Sequence, residues 1–111
     1  MPCLDITTNV NIDEADTDSL FSDLTKAVSQ IIGMPEKFVM ILVKGSIAVT
    51  FGGNKEPAAL GEIVSMAGIN TEVKRKLIAT IGLILENKLS IPRTRFVLKV
   101  FNATPKNSSK L

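Results

Sequence analysis

The chain contains no histidine, tryptophan or tyrosine, and only one cysteine, Cys3, among its 111 residues. Without histidine it lacks the side chain that most often acts as a base at neutral pH and binds metals. A single cysteine can form neither an internal disulfide nor a cysteine-based metal site. We therefore expect no metal, no other cofactor and a reducing intracellular compartment.

The charge balance and the lengths of the apolar runs exclude further classes of protein. A net charge of +2 with few aromatic residues gives no reason to expect a nucleic-acid partner. No apolar run reaches the roughly 18 residues of a membrane span, and Lys44 interrupts the longest one. No basic segment followed by an apolar block marks a secretory signal. We expect one domain over residues 1–104 and a flexible tail over 105–111.

Pro2 is the residue with the most chemical potential. Met1 is removed efficiently before a small residue, so we expect a mature chain that begins with the secondary amine of Pro2. An α-amino group titrates near pH ~7.7–8.0, and an apolar pocket lowers that pKa because it disfavours the charged form. Pro2 can thus be a general base at neutral pH. The alternative is that Pro2 only begins a strand, where the missing N–H costs nothing.

The apolar pattern predicts two β-α-β units in tandem. Residues 3–10 alternate as in a strand, and an acidic segment then leads into a helix whose apolar face spans residues 20–32. Gly33 is placed to end that helix, and the continuous apolar run 38–43 predicts a second strand.

The second unit repeats this order. Residues 47–51 predict a short strand, and a turn leads to a further strand over 58–66. Asn70 can cap a second helix, and residues 95–101 predict the last strand.

Together the two units predict an α+β, two-layer fold, in which a four-stranded sheet carries both helices on one face. The opposite face needs a cover, because the runs 38–43 and 96–101 look buried on both sides. We expect an oligomer in which sheets meet and residues 47–51 pair with the edge of a neighbour.

The sequence resembles the macrophage migration inhibitory factor (MIF) and D-dopachrome tautomerase family of the tautomerase superfamily, especially its plant members. The resemblance covers residues 1 to about 102. It is carried by Met1-Pro2-Cys3-Leu4, Thr8-Asn9-Val10, Gly33 with Pro35, Phe51-Gly52-Gly53, Glu56-Pro57-Ala58, Ser65, Gly68, Lys88-Leu89-Ser90-Ile91-Pro92 and Arg95-Phe96.

This resemblance implies a β-α-β-β-α-β protomer and a ring-shaped homotrimer. It also implies keto–enol tautomerisation of aromatic keto acids such as phenylpyruvate, or of dopachrome-like compounds, with Pro2 as the base. The family pocket lies between subunits. Matching positions place four residues on one chain and two on its neighbour: Pro2, Met34, Ser65 and Met66, then Val97 and Lys99.

The chain departs from the family in that pocket. Met34 replaces a lysine that holds an anionic carboxylate and lowers the pKa of the proline amine. Val97 replaces a tyrosine, and Lys99 replaces a neutral amide. Lys99 either restores a cation or is a solvated strand residue. A Cys-x-x-Cys pair of the family corresponds to Ala58 and Gly61, so redox activity of that kind is not expected.

The last three residues, Ser109, Lys110 and Leu111, match a peroxisomal targeting signal. They predict an import receptor as a partner and the peroxisomal matrix, with a cytosolic pool, as the location. A polar tail that ends this way by chance is the alternative.

Two functional hypotheses remain open. The first is a peroxisomal tautomerase in which Pro2 is the base and Met34, Met66 and Val97 hold an apolar ring. Lys99 or backbone N–H groups would then hold the carboxylate. The second is a non-enzymatic trimer used in signalling, protein interaction or small-ligand binding. Met34 predicts weak or absent classical tautomerase activity.

Overall fold

Four strands and two α-helices make up the part of the chain that the computed structural model describes, residues 1–13 and 15–102. In chain order they are β1 (Cys3–Thr8), α1 (Thr17–Ile32), β2 (Met40–Lys44), β3 (Ala59–Ser65), α2 (Thr71–Leu89) and β4 (Phe96–Asn102). Short 3₁₀ turns, Glu36–Phe38 and Arg93–Arg95, precede β2 and β4. The predicted boundary at residue 104 and the tail 105–111 lie outside the described residues.

The strands form one sheet in the order β2-β1-β3-β4. β1 pairs parallel to β2, and β3 pairs parallel to β4, as expected for two β-α-β units. The two units join where β1 and β3 run antiparallel. The prediction of an α+β, four-stranded sheet with two helices is confirmed.

The first helix begins within the predicted acidic segment, at Asp16, and the second begins at the predicted cap Asn70. Asp16 accepts a hydrogen bond from the Ser19 N–H at 3.0 Å, and Asn70 accepts one from the Val73 N–H at 2.8 Å. Gly33 ends α1 in the left-handed conformation, with φ of 83°, as predicted from its position.

The core lies between the helices and one face of the sheet. Alternate residues of β1 and β3 point into it, and so do the apolar stripes of both helices. Its fully buried aliphatic side chains include Leu4, Ile6, Leu20, Leu24, Val28, Ile63, Leu77, Ile81, Leu85 and Ile91.

The other face of the sheet, here called the open face, carries no helix. It is formed by Cys3, Asp5, Thr7, Met40, Leu42, Lys44, Leu60, Glu62, Val64, Val97, Lys99 and Phe101. In the single chain this face of β2 and β4 is exposed, with Met40 64% and Phe101 46% accessible, and its burial by a neighbouring subunit stays a prediction. The open face is therefore largely apolar, and no other element of the described chain packs against it.

Three predicted strand boundaries need correction. β1 ends at Thr8, two residues early, because the Thr8 hydroxyl accepts the Val10 N–H at 3.1 Å and starts a turn. β2 begins at Met40, because Phe38 belongs to the 3₁₀ turn. Residues 47–51 form no strand within the described chain, where Phe51 folds back onto Asn54 through the turn at 52–53. Pairing of this segment with a neighbouring subunit stays a prediction.

Candidate functional site

Pro2 is fully buried immediately before β1, one of the two inner strands of the sheet. Its carbonyl accepts a hydrogen bond from the Met40 N–H at 3.0 Å, which fixes the backbone against β2. Met1 precedes it and is 72% exposed. Removal of Met1 would therefore leave the proline amine held in place by the sheet, on a ring that cannot rotate away.

Pro2 borders a cavity of about 520 Å³, which we call the Pro2 cavity. Its lining consists of Met1, Pro2, Cys3, Lys37, Phe38, Val39, Met40 and Val64. Most of these side chains are apolar, and the cavity is large enough for a small aromatic molecule. A base at the wall of such a cavity would face a substrate shielded in part from water.

Sheet register brings these residues together. Cys3 pairs with Met40 on β2 and with Val64 on β3, so residues distant in sequence meet beside Pro2. The 3₁₀ turn adds Lys37 and Phe38. The sequence did not predict any of Lys37, Phe38, Met40 and Val64 as a site residue. Alternation assigns a residue to a face of the sheet but not to a partner on the next strand, so the positions of Met40 and Val64 beside Cys3 could not be read from the sequence.

Met34 lies directly after the end of α1 and is half-buried. Its N–H donates to the Ser29 carbonyl at 3.2 Å, and its own carbonyl accepts from the Ser29 hydroxyl. It does not line the Pro2 cavity of the single chain. Its predicted role in substrate binding stays a prediction.

Ser65 and Met66 lie at the end of β3 and differ in exposure. Ser65 is fully buried on the helix side of the sheet, and its hydroxyl accepts the Ala67 N–H at 3.1 Å. Met66 is 50% exposed beyond the strand. Neither lines the Pro2 cavity within one chain.

Val97 and Lys99 lie on β4, on the open face and away from the Pro2 cavity of their own chain. They pair in register with Leu60 and Glu62. The prediction assigned both residues to the pocket of a neighbouring subunit, so a single chain leaves that assignment a prediction.

The chemistry of Cys3 is that of an unreactive thiol. Burial, and secondly the nearby Asp5 carboxylate, raise the pKa of the Cys3 thiol, which keeps it protonated at neutral pH. At Gly61, one of the two positions of the family's cysteine pair, an added Cβ would lie 3.1 Å from the Phe96 ring and 3.0 Å from Leu98. A larger side chain at Gly61 would require these neighbours to move.

The described residues were also compared with the requirements of a metal site and of a membrane-spanning helix. No cluster of three or more acidic, histidine or cysteine side chains in them is arranged to hold a metal ion. Neither of their helices is long and apolar enough to cross a bilayer.

An α+β protomer of two β-α-β units, with Pro2 buried before its first strand, has the fold of the tautomerase superfamily. The family model "Macrophage migration inhibitory factor (MIF)" matches residues 1–110, and the chain belongs to that family. A MIF homologue from Trichuris trichiura is 32% identical over 98 residues, which is 88% of this chain and 85% of the relative. MIF from Xenopus laevis is 28% identical and covers 96% of this chain and 92% of its own length.

Solved structures agree with this assignment. The crystal structure of a MIF homologue from Prochlorococcus marinus superimposes with a TM-score of 0.84 at 26% identity. The match covers 91% of this chain and 90% of that one. The fold predicted from the resemblance is therefore the fold of this chain.

Proposed function

We propose that this protein is a keto–enol tautomerase of low classical activity, in which the amine of Pro2 is the general base. The observation that carries the proposal is the complete burial of Pro2 at the wall of an apolar cavity. Its substrates would be aromatic α-keto acids such as phenylpyruvate, or dopachrome-like compounds, and no cofactor takes part.

The reaction needs one base that both takes and returns a proton. The neutral amine of Pro2 would remove a proton from the carbon next to the carbonyl, and the electron pair would form the enol double bond. The same amine, now charged, would protonate the carbonyl oxygen. Apolar surroundings favour the neutral amine, which is the form that can accept the proton. A Pro2 nitrogen still joined to Met1 is an amide and has no basic lone pair.

Met34 is the reason for low activity. A lysine at this position would bind the substrate carboxylate and, as a like charge, lower the pKa of the amine. Methionine supplies polarizable apolar surface but no charge. We expect slower proton transfer than in relatives that carry the lysine.

The proposal extends to assembly and location. A homotrimer, with Val97 and Lys99 contributed by a neighbouring subunit, would cover the apolar open face. Ser109, Lys110 and Leu111 would direct the chain to the peroxisome through an import receptor, as in a plant-type member of the family.

A second candidate function is a non-enzymatic trimer that binds protein partners or small ligands. The substitution at Met34 and the valine at position 97 favour it, because both remove polar groups that a tautomerase would use. The buried Pro2 favours the enzyme.

The test compares two forms of the protein, one with Met1 removed and one that retains it, each verified by mass spectrometry. We expect slow turnover of phenylpyruvate by the first form and none by the second. Equal turnover by both forms would refute Pro2 as the base, and no turnover by either would favour the non-enzymatic function. Turnover as fast as that of relatives with a lysine at this position would contradict the claim that Met34 lowers the activity.

A further inference from the structure

We propose that Lys37 binds the acidic group of the ligand in the Pro2 cavity, and that this ligand is an apolar molecule with one carboxylate. The inference rests on the proposed function only in taking the Pro2 cavity as the substrate site. It assigns the anion contact to a residue three positions beyond Met34.

The lining of the Pro2 cavity contains one charged side chain. Lys37 is that residue, and the side chains around it are apolar or weakly polar. Apolar walls favour an aromatic or aliphatic body, and a single cation favours a single anionic group on it. A ligand with several charges would leave some of them without a partner against apolar walls.

The local backbone holds Lys37 at the edge of the cavity. Pro35 begins the 3₁₀ turn, and its carbonyl accepts the Phe38 N–H at 3.0 Å. The Lys37 ammonium lies 5.2 Å from the centroid of the Phe38 ring, a distance at which the ring face attracts a cation. Phe38 thus lines the cavity and also restrains the cation beside it.

No salt bridge competes for Lys37 within residues 1–13 and 15–102, where the ion pairs involve Lys44, Arg75, Lys88 and Arg93. Lys99, the cation suggested by the sequence, lies on β4 in register with Glu62 and outside the lining of the Pro2 cavity. Lys37 is therefore the lysine of the cavity lining, and it has no salt-bridge partner among the described residues.

Exposure limits what Lys37 can do. Because it is exposed, water and salt screen its charge, and its influence on the Pro2 amine is weak. It contributes to binding the carboxylate rather than to proton transfer. Lys37 thus supplies the anion contact that a lysine at position 34 would make. It does not supply that lysine's second effect, a lower pKa of the Pro2 amine.

The experiment measures binding of phenylpyruvate and of its uncharged methyl ester by calorimetry, using protein from which Met1 has been removed. Lys37→Gln should weaken phenylpyruvate binding by roughly five- to tenfold and leave ester binding unchanged, as expected for a partly screened charge contact. Lys37→Arg should retain most of the affinity. Lys76→Gln, which removes an exposed lysine of α2 outside the cavity lining, is the matched control and should have no effect.

Equal affinities of the wild type and Lys37→Gln for phenylpyruvate would overturn the inference. So would absence of phenylpyruvate binding to the wild type, or a loss of affinity in Lys99→Gln but not in Lys37→Gln. Turnover separates the two proposals, since Lys37-dependent binding without turnover contradicts Pro2 as a base and leaves this inference intact. Turnover together with binding that does not depend on Lys37 supports Pro2 as a base and contradicts the role proposed for Lys37.

Discussion

At the scale of single residues, part of the family resemblance is structural rather than chemical. The Asn9 amide donates to the carbonyls of Lys55 and Glu56 at 3.1 and 3.0 Å, and its oxygen accepts the Ala58 N–H at 3.0 Å. Arg95 donates to carbonyls of the same turn. These two residues join β1 and β4 to the segment before β3, so they identify the fold and not the reaction.

Replacing Asn9 with alanine should lower the free energy of unfolding by about 2 kcal/mol, because the carbonyls of Val49, Lys55 and Glu56 and the N–H of Ala58 all lose a hydrogen-bond partner. Denaturant unfolding followed by circular dichroism measures the change. Asn11→Ala is the control, since Asn11 is exposed and accepts only the local Asp13 N–H among the hydrogen bonds of the described residues. Equal losses in both variants would argue against the role given to Asn9.

Met34→Lys should increase kcat/KM for phenylpyruvate by roughly tenfold, because a cation at this position would lower the pKa of the Pro2 amine and add to the carboxylate contact proposed for Lys37. Steady-state kinetics on protein lacking Met1 provides the measurement. Leu83→Lys, on the exposed surface of α2, adds the same charge elsewhere and should change nothing. An unchanged kcat/KM in Met34→Lys would refute the electrostatic explanation of low activity.

At the scale of elements, α1 depends on its cap because its first N–H groups have no partner within the helix. Asp16→Ala removes the acceptor for the Ser19 N–H and should cost about 1 kcal/mol of stability. Thermal unfolding would show this as a lower Tm. Asp13→Ala, which removes an exposed carboxylate before the helix, should leave the Tm within error.

The helices could be predicted from the sequence because their signals are local. Asp16, Gly33 and Asn70 mark ends that depend on a few neighbouring residues. The ends of the strands depend on distant partners. Thr8 ends β1, and its hydroxyl donates to the Ala58 carbonyl at 2.7 Å, a contact across 50 residues that alternation does not encode.

The residues of the candidate site also differ in whether local sequence or distant contacts determine their positions. Pro2 could be identified from its position and chemistry, and the structure buries it. The residues around it follow from strand register and from the 3₁₀ turn, which is why Lys37, Met40 and Val64 were missed. Val97 and Lys99 concern a neighbouring subunit, so their place in the site remains a prediction.

At the scale of the whole molecule, the open face combines apolar and charged residues. Leu42 is 46% exposed and pairs in register with Asp5, whose Oδ1 is buried and accepts no hydrogen bond within the described chain. Lys44 bonds the other carboxylate oxygen at 3.2 Å. Such a face is costly to leave in water, which is the physical basis for the proposed homotrimer.

Leu42→Asp should dissociate the trimer, because it places a second carboxylate beside Asp5 on a face that has to be covered. Sedimentation velocity distinguishes trimer from monomer. Leu83→Asp is a matched control, since Leu83 is 42% exposed on the helix side of the molecule. A wild-type protein that sediments as a monomer would contradict the account of the open face.

The proposed peroxisomal signal predicts that the wild type is found in peroxisomes and that deletion of Leu111 leaves the protein in the cytosol, because a receptor of this kind reads the terminal tripeptide. A fluorescent protein fused to the N-terminus reports the location by microscopy. Lys106→Gln changes the tail without changing the tripeptide and should remain peroxisomal. Continued import without Leu111 would show that the tripeptide is not the signal.

The proposed chemistry requires that Pro2 carries a neutral, basic amine at neutral pH. NMR titration of protein with ¹³C-labelled proline measures its pKa directly, and the spectrum of a Pro2→Ala variant, which lacks the Pro2 signals, identifies them. The account predicts an apparent pKa below the ~7.7–8.0 of an ordinary α-amino group. A value at or above that range would contradict the role of Pro2 as the base.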